Sequence, residues 1–398
     1  MTKESRMPNF QIIKITLALG ALPFWPIAPL LAASPDITSL VLAPRLTIQS
    51  DTNVLNQIQY TTNLSQGNWT TLTNLSVTQS TYWFTDQTAP AAPARYYRVL
   101  EVSAPGGMAF IPAGSFAMGD SFSEGSTNEQ PVHLVYVSGF FMDTNLVTFT
   151  LWQQVYQWAT NHGYSFDNAG CTYGGYNYSV GNNYPVHLVN WFDVVKWCNA
   201  RSESQSLTPC YYTSNTLATV YRTGDLNVSN SWVNWNAGGY RLPTEAEWEK
   251  AGRGGVLCQR FPWSGTNAIS WSRANYCGAP ASFSYDFSTT NSYDPAFNTG
   301  SQPYTSPAGY FAPNGYGLRD MAGNVWEWCW DWYDGGWYAN AGATQPDPRG
   351  PSAALAYRVY RGGSWYDYAD VARCSYRGYG LSSSGIGDNV GFRCVTGF

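Results

Sequence analysis

Arg241-Leu-Pro-Thr-Glu-Ala-Glu-Trp-Glu249 and Met321-Ala-Gly-Asn-Val-Trp-Glu-Trp328 are the stretches on which the reading of this chain turns. In the first, Thr244-Glu-Ala-Glu247 has the spacing of a capping box, in which the Thr hydroxyl and the Glu carboxylate each satisfy an N–H that a helix start leaves open. Gly252 supplies a stop. Acids gathered at a capped helix start are stabilising there, so Arg241, Glu245, Glu247 and Glu249 read as a scaffold helix with buried ion pairs, not as a catalytic acid–base pair. Outward from it, Thr148 caps a helix carrying Leu151, Val155 and Trp158 at helical spacing, and Asn190 caps another carrying Val194, Trp197 and Cys198. Between these helices lie long Gly-, Asn-, Tyr- and Trp-rich stretches that read as loops or short strands. Loops of this length inside a packed domain need staples, and disulfides or bound cations are the expected ones.

Residues 37–104 have a different cadence. Short runs rich in β-branched and aromatic residues, Arg45–Gln49, Gln57–Thr62, Trp69–Leu72, Thr81–Thr85 and Arg95–Glu101, alternate with polar or Pro/Ala-rich turns. This is the pattern of a small all-β sandwich, with Trp69 and Tyr97 expected in its core. The unit has no His and no Cys, so no chemistry can be placed there. Ala104-Pro-Gly-Gly107 marks the linker.

The chain has 398 residues, of which 12% are charged, with 29 Tyr, 18 Trp and 38 Gly. Soluble proteins carry about 25% charge, so Tyr, Ser, Thr, Asn and Gly must cover this surface. With 26 acidic and 21 basic residues and no basic run, the electrostatic footprint of a nucleic-acid binder is missing. Lys3, Arg6 and Lys14 precede an apolar run, Ile15–Ala33, that closes on Leu31-Ala32-Ala33. That is the layout of a secretory signal peptide over residues 1–33, and Pro23, Pro26 and Pro29 argue against a membrane-spanning helix there. No later run is long enough to span a bilayer, so a secreted or periplasmic chain without a membrane span is expected once the signal is removed. All eight Cys (171, 198, 210, 258, 277, 329, 374 and 394) lie beyond it, an even number that suits disulfides in an oxidising compartment. There is no Cys-x-x-Cys pair, and His133, His162 and His187 are scattered, which counts against zinc.

From Met108 onward the motifs Phe110–Gly119, Pro131-Val-His133, Pro185–Trp191, Arg241–Glu249, Asn314–Leu318, Met321–Trp328, Arg361-Gly-Gly-Ser-Trp365 and Gly391-Phe-Arg-Cys394 occur in an order that resembles the formylglycine-generating enzyme (sulfatase-modifying factor) family. The resemblance implies an irregular α+β fold related to C-type lectins over 108–398, preceded here by the sandwich module at 37–104. It also implies a structural calcium site in which Asp320 and Glu327 give side chains while Gly323 and Val325 give carbonyls, a donor set of hard oxygens that suits the ion. A second family calcium site would use Asn275, the carbonyl of Tyr276 and an Asp about twenty residues on, where the sequence reads Asn298-Thr299-Gly300. A disulfide between Cys198 and Cys394 is implied as well. Trp326, Ser364 and Arg377 line the family's peptide groove, and Arg377 is expected to pair with a ligand carboxylate.

The family's enzymes oxidise a substrate cysteine with copper and oxygen, using two thiols in the pattern Arg-Gly-Gly-Ser-x-x-Cys-x-x-x-x-Cys. Soft thiolates select Cu(I). In this chain those two positions read Asp367 and Ala372, so no copper is expected. What remains is a scaffold presenting a loop rich in Tyr, Ser, Asp and Asn, including Tyr366, Asp367 and Tyr376. This is the palette of adaptable binding surfaces, and in composition it resembles the variable ligand-binding proteins of diversity-generating retroelements. The expected role is therefore binding of a peptide, protein or glycan without cysteine oxidation. An active oxidase or another metal-dependent oxygenase of the superfamily, and a structural or adhesive envelope protein, are the competing readings.

Overall fold

The computed structural model describes residues 43–49, 55–66, 68–76, 81–86, 88–89, 95–172 and 183–397, so the expected signal peptide lies outside the described residues. The chain divides into two units, Met1–Ser103 and Ala104–Phe398. Among the described residues no helix is long and apolar enough to cross a membrane.

In the first unit, β1 (Arg45–Gln49) pairs with β4 (Thr81–Thr85), and β2 (Leu55–Thr61) pairs with both β3 (Thr70–Ser76) and β5 (Tyr96–Val102), all antiparallel. Alternation along the strands sends Leu46, Ile48 and Ile58 inward, where they pack with Phe84, Tyr97 and Val99 from both sheets. Trp69 corrects the sequence reading. It is half-exposed, with the Arg98 guanidinium 4.3 Å above its ring, because it precedes β3 instead of lying within it.

The second unit is the expected irregular α+β domain. Its strands are β6 (Met108–Ile111), β7 (Gly114–Met118), β8 (His133–Val137), β9 (Phe140–Asp143), β10 (Tyr240–Arg241), β11 (Trp326–Trp332), β12 (Arg358–Arg361), β13 (Val390–Gly391) and β14 (Val395–Thr396). They form a sheet of order β10-β14-β9-β6, a second of order β12-β11-β13, and the hairpin β7–β8. The helices are α1 (Phe149–Thr160), α2 (Trp191–Ser204) and α3 (Glu245–Gly252). Thr148, Asn190 and Thr244 cap them as read from the sequence, each side chain accepting from a backbone N–H of the first turn.

Aromatic packing joins the elements. Trp152 of α1 and Trp197 of α2 stack with centroids 5.6 Å apart, and Phe392 meets the Trp197 ring edge-on at 5.2 Å. Strand β11, Trp-Glu-Trp-Cys-Trp-Asp-Trp, is buried along its whole length because α3 and α2 cover it. Its Trp332 and the Trp191 of α2 sandwich the guanidinium of Arg358 at 3.4 and 3.6 Å.

Candidate functional site: the loop after the central strands

The α3 segment sets the site's foundation. Glu249 is fully buried and accepts from Gly119 N (2.9 Å), from Arg253 Nε (3.0 Å) and Nη2 (2.7 Å), and from Arg361 at the end of β12. Burial pushes its carboxyl up, but Arg253 and Arg361 more than offset that and hold it below the usual carboxylate range. Arg361 in turn donates to the carbonyls of Cys374 (3.0 Å), Ser375 (2.9 Å) and Tyr376. One buried ion pair thus fastens both ends of the loop 362–376. Gly362 and Gly363 follow with φ of 95° and 73°, and a Cβ on Gly363 would stand 3.2 Å from Ala372 Cα, so this turn requires glycine.

The turn delivers Ser364, which is buried. Its hydroxyl donates to Asp367 Oδ2 and accepts from Asn389 Nδ2 at 3.2 Å and from Tyr366 N at 3.3 Å. The indole of Trp326, at the start of β11, also donates to Asp367. Burial pushes the Asp367 carboxyl above the ordinary Asp value, although these donors oppose the shift. Trp326 packs on Tyr360 (4.9 Å) and Tyr376 (5.8 Å), while Tyr366 is 55% exposed. Trp326, Ser364, Asp367, Tyr366 and Tyr376 are therefore neighbours.

Arg377 is not available to a ligand, which corrects the sequence reading. It is 1% exposed, donates to Glu245 through Nε (2.7 Å) and Nη2 (2.8 Å), and spends Nη1 on the carbonyls of Asn128 and Asp334. A guanidinium placed in low dielectric needs such full pairing.

Of the two residues read from the sequence at the family's copper spacing, Asp367 is half-buried and Ala372 is buried. Sequence spacing missed Cys277, whose backbone N–H donates to the Asp367 carbonyl at 2.9 Å, because the two lie ninety residues apart. Its thiol is half-buried and shifted up by burial, with Asp286 and Asp367 adding to the shift. Around it Tyr293, Tyr304, Trp365 and Tyr366 form a ring cluster with centroids 5.0–6.1 Å apart. Nothing in the linear sequence marks these partners.

The expected calcium ligands differ in what already pairs with them. Asp320 is buried; its Oδ2 accepts from Gly309 N (2.5 Å), its Oδ1 has no hydrogen-bond partner, and burial pushes its pKa up to about 6. An orphaned, buried carboxylate oxygen is what a hard cation would satisfy. Glu327 differs, because its oxygens already accept from Arg393 Nε (2.7 Å), Arg393 Nη2 (2.8 Å) and Trp248 Nε1 (2.8 Å). Gly323 sits at φ 76°, where a Cβ would fall 2.2 Å from the Asn275 carbonyl, and Val325 is fully buried. Asp294, overlooked in the sequence, is buried with Oδ2 unpartnered. Among the described residues no group of three His, Cys, Asp or Glu side chains is arranged around a metal position.

A family model described as the sulfatase-modifying factor enzyme 1-like domain matches residues 98–397. The chaperone protein LppX of Paenibacillus barcinonensis is 34% identical over 221 residues, 54% of this chain and 70% of that protein. The formylglycine-generating enzyme of Thermomonospora curvata is 33% identical over 319 residues, 73% and 93% of the two chains. Among solved structures, Treponema denticola variable protein 1 matches with a TM-score of 0.51 at 30% identity, covering 73% of this chain and 94% of that one. The model match spans most of the chain, and the order of motifs agrees with it: the chain belongs to the sulfatase-modifying factor, or formylglycine-generating enzyme-like, family.

Proposed function

We propose that this is an exported protein whose family domain binds a peptide, protein or glycan on the face built by Trp326, Ser364, Tyr366, Asp367 and Tyr376, and that it does not oxidise cysteine. The observation that carries the reading is the side chain at the two thiol positions, Asp367 and Ala372. A carboxylate and a methyl group are hard or inert toward Cu(I), which needs soft donors. Half-buried and exposed tyrosines beside hydrogen-bonding Ser, Asp and Asn side chains favour recognition instead. The relative named a chaperone and the structural relative titled a variable protein support binding over turnover. The purified chain, given cuprous ion, oxygen and a Cys-x-Pro-x-Arg peptide, is expected to leave the peptide mass unchanged and to retain calcium as its metal. Stoichiometric copper with an aldehyde-bearing peptide product overturns the reading.

Calcium is part of this proposal, with Asp320 as the side-chain ligand and the carbonyls of Gly323 and Val325 beside it; Glu327 serves instead as the counter-charge of Arg393. The Cys198–Cys394 disulfide is proposed too. The two sulfurs face each other at 3.6 Å, both fully buried, where a disulfide would hold them at about 2.05 Å. Non-reducing peptide mapping of the exported protein is expected to link them, and Cys198→Ser to cost about 2–4 kcal/mol in a urea melt. Equal stability of the variant and the oxidised parent speaks against the bond.

A further inference from the structure

Asp367, in the loop that carries the site, forms no ion pair among the described residues. Asp367 accepts from neutral donors, Ser364 and Trp326. Three residues on, Asp370 Oδ1 is shielded from solvent and accepts no hydrogen bond. Every arginine nearby is committed elsewhere: Arg361 to Glu249, Arg377 to Glu245, and Arg373 to Glu129 through two bonds of 2.8 Å. Arg373 also has Asp120 at 3.9 Å and Glu124 at 4.0 Å, so one guanidinium is shared among several acids; its Nε donates to the Asp370 backbone carbonyl and its charge favours the Asp370 carboxylate, leaving Asp367 as the acid without a counter-cation. Beside Asp367 stand the rings of Trp326, Tyr360 and Tyr376, which pack on one another. Tyr360 and Tyr376 are half-buried, and the neighbouring Tyr366 and Tyr368 are 55% and 51% exposed.

We infer that this place takes an ammonium group, a lysine side chain offered by a peptide or protein partner, and that Asp367 sets the specificity. The inference rests on the binding reading above and gives that site its ligand chemistry. A half-buried carboxylate without a counter-cation attracts positive charge more strongly than one in open water, and ring faces add the attraction of their quadrupoles. Lysine suits the site better than arginine. A guanidinium gains most from a carboxylate with both oxygens open to its planar fork, whereas Ser364 and Trp326 already occupy part of this one. A compact ammonium needs a single lone pair. A neutral sugar would gain ring stacking and leave the surplus negative charge uncompensated.

The test uses the full chain and four tripeptides blocked at both ends, Gly-Xaa-Gly with Lys, Arg, Gln or Glu at the centre, measured by calorimetry. The Lys peptide is expected to bind about tenfold more tightly than the Gln peptide, a difference of about 1.4 kcal/mol, with Arg between them and Glu weakest. Asp367→Asn is expected to erase the Lys-over-Gln preference while keeping the parent's urea midpoint. Added NaCl supplies an arm that needs no variant: it should weaken Lys binding and leave Gln binding unchanged. Gln or Glu bound as tightly as Lys, a preference that survives Asp367→Asn, or no binding of any of the four overturns the inference. Binding of chitohexaose or of the Gln peptide that is lost in Tyr376→Ala would leave the binding reading standing without the cation; absence of that as well removes both.

Discussion

Replacing Glu249 with Gln is expected to lower the unfolding free energy by about 3–5 kcal/mol, the usual cost of leaving buried charges unpaired. Two guanidiniums, Arg253 and Arg361, would lose their anion in a place without solvent, and Gly119 N would lose a charged acceptor. The effect should extend to the site, because Arg361 is also the donor that holds the carbonyls of Cys374, Ser375 and Tyr376. A urea titration followed by tryptophan fluorescence measures the first effect, and amide exchange across 374–376 the second. Glu203→Gln is the comparison: its partner Arg222 is 39% exposed at the side chain, so its loss should cost well under about 1 kcal/mol. Equal losses in the two variants would show that burial of the Glu249 network is not what stabilises the fold.

The second large effect concerns acid. His187 is 1% exposed, and burial pushes its pKa down to about 4, against 6.5 in an unfolded chain. Between those values the unfolded state binds the extra proton, so stability is fully present above pH 6.5 and falls as pH drops toward 4. The shift corresponds to about 3 kcal/mol over that window. His187 exchanges backbone hydrogen bonds with Cys171 at 2.9 and 3.0 Å, and the segment that follows it meets the site loops, with Leu188 N donating to Gly387 and Trp191 N to Ser383. Acid should therefore loosen the loop 383–391 together with the core. Urea midpoints at pH 7.0 and 4.5 are expected to converge in His187→Gln relative to the parent. A parent whose midpoint does not move across that window would rule out a neutral, buried His187.

Much of the scaffold was legible in the residues themselves. A capping box depends on groups three positions apart, which is why Thr244 and Glu247 announce α3 and close it as expected. The same locality makes Thr148 and Asn190 readable as caps, and Arg45–Gln49 and Thr81–Thr85 readable as strands. Charge in the Arg241–Glu249 segment was legible as structural for the same reason, and Arg241 indeed pairs with Glu247 through two bonds of 2.6 Å. Trp69 marks the limit of local reading, since an aromatic beside a strand can lie beneath an arginine from another strand as easily as in the core.

The site divides along the same line. Residue identity alone shows that the run after Arg361-Gly-Gly-Ser364 carries Asp367 and Ala372 at the spacing where the resemblance leads one to expect thiols. Only the tertiary structure decided which charges are free. Arg377 and Glu327 look like binding groups in the sequence, yet Glu245 and Arg393, more than sixty residues away in each case, neutralise them. Cys277 and Asp294 look unremarkable and stand beside the site or buried with an open oxygen. The physical reason is that a side chain's chemistry follows from its counter-charge and its access to water, and both are contributed by segments that only the folded chain brings together.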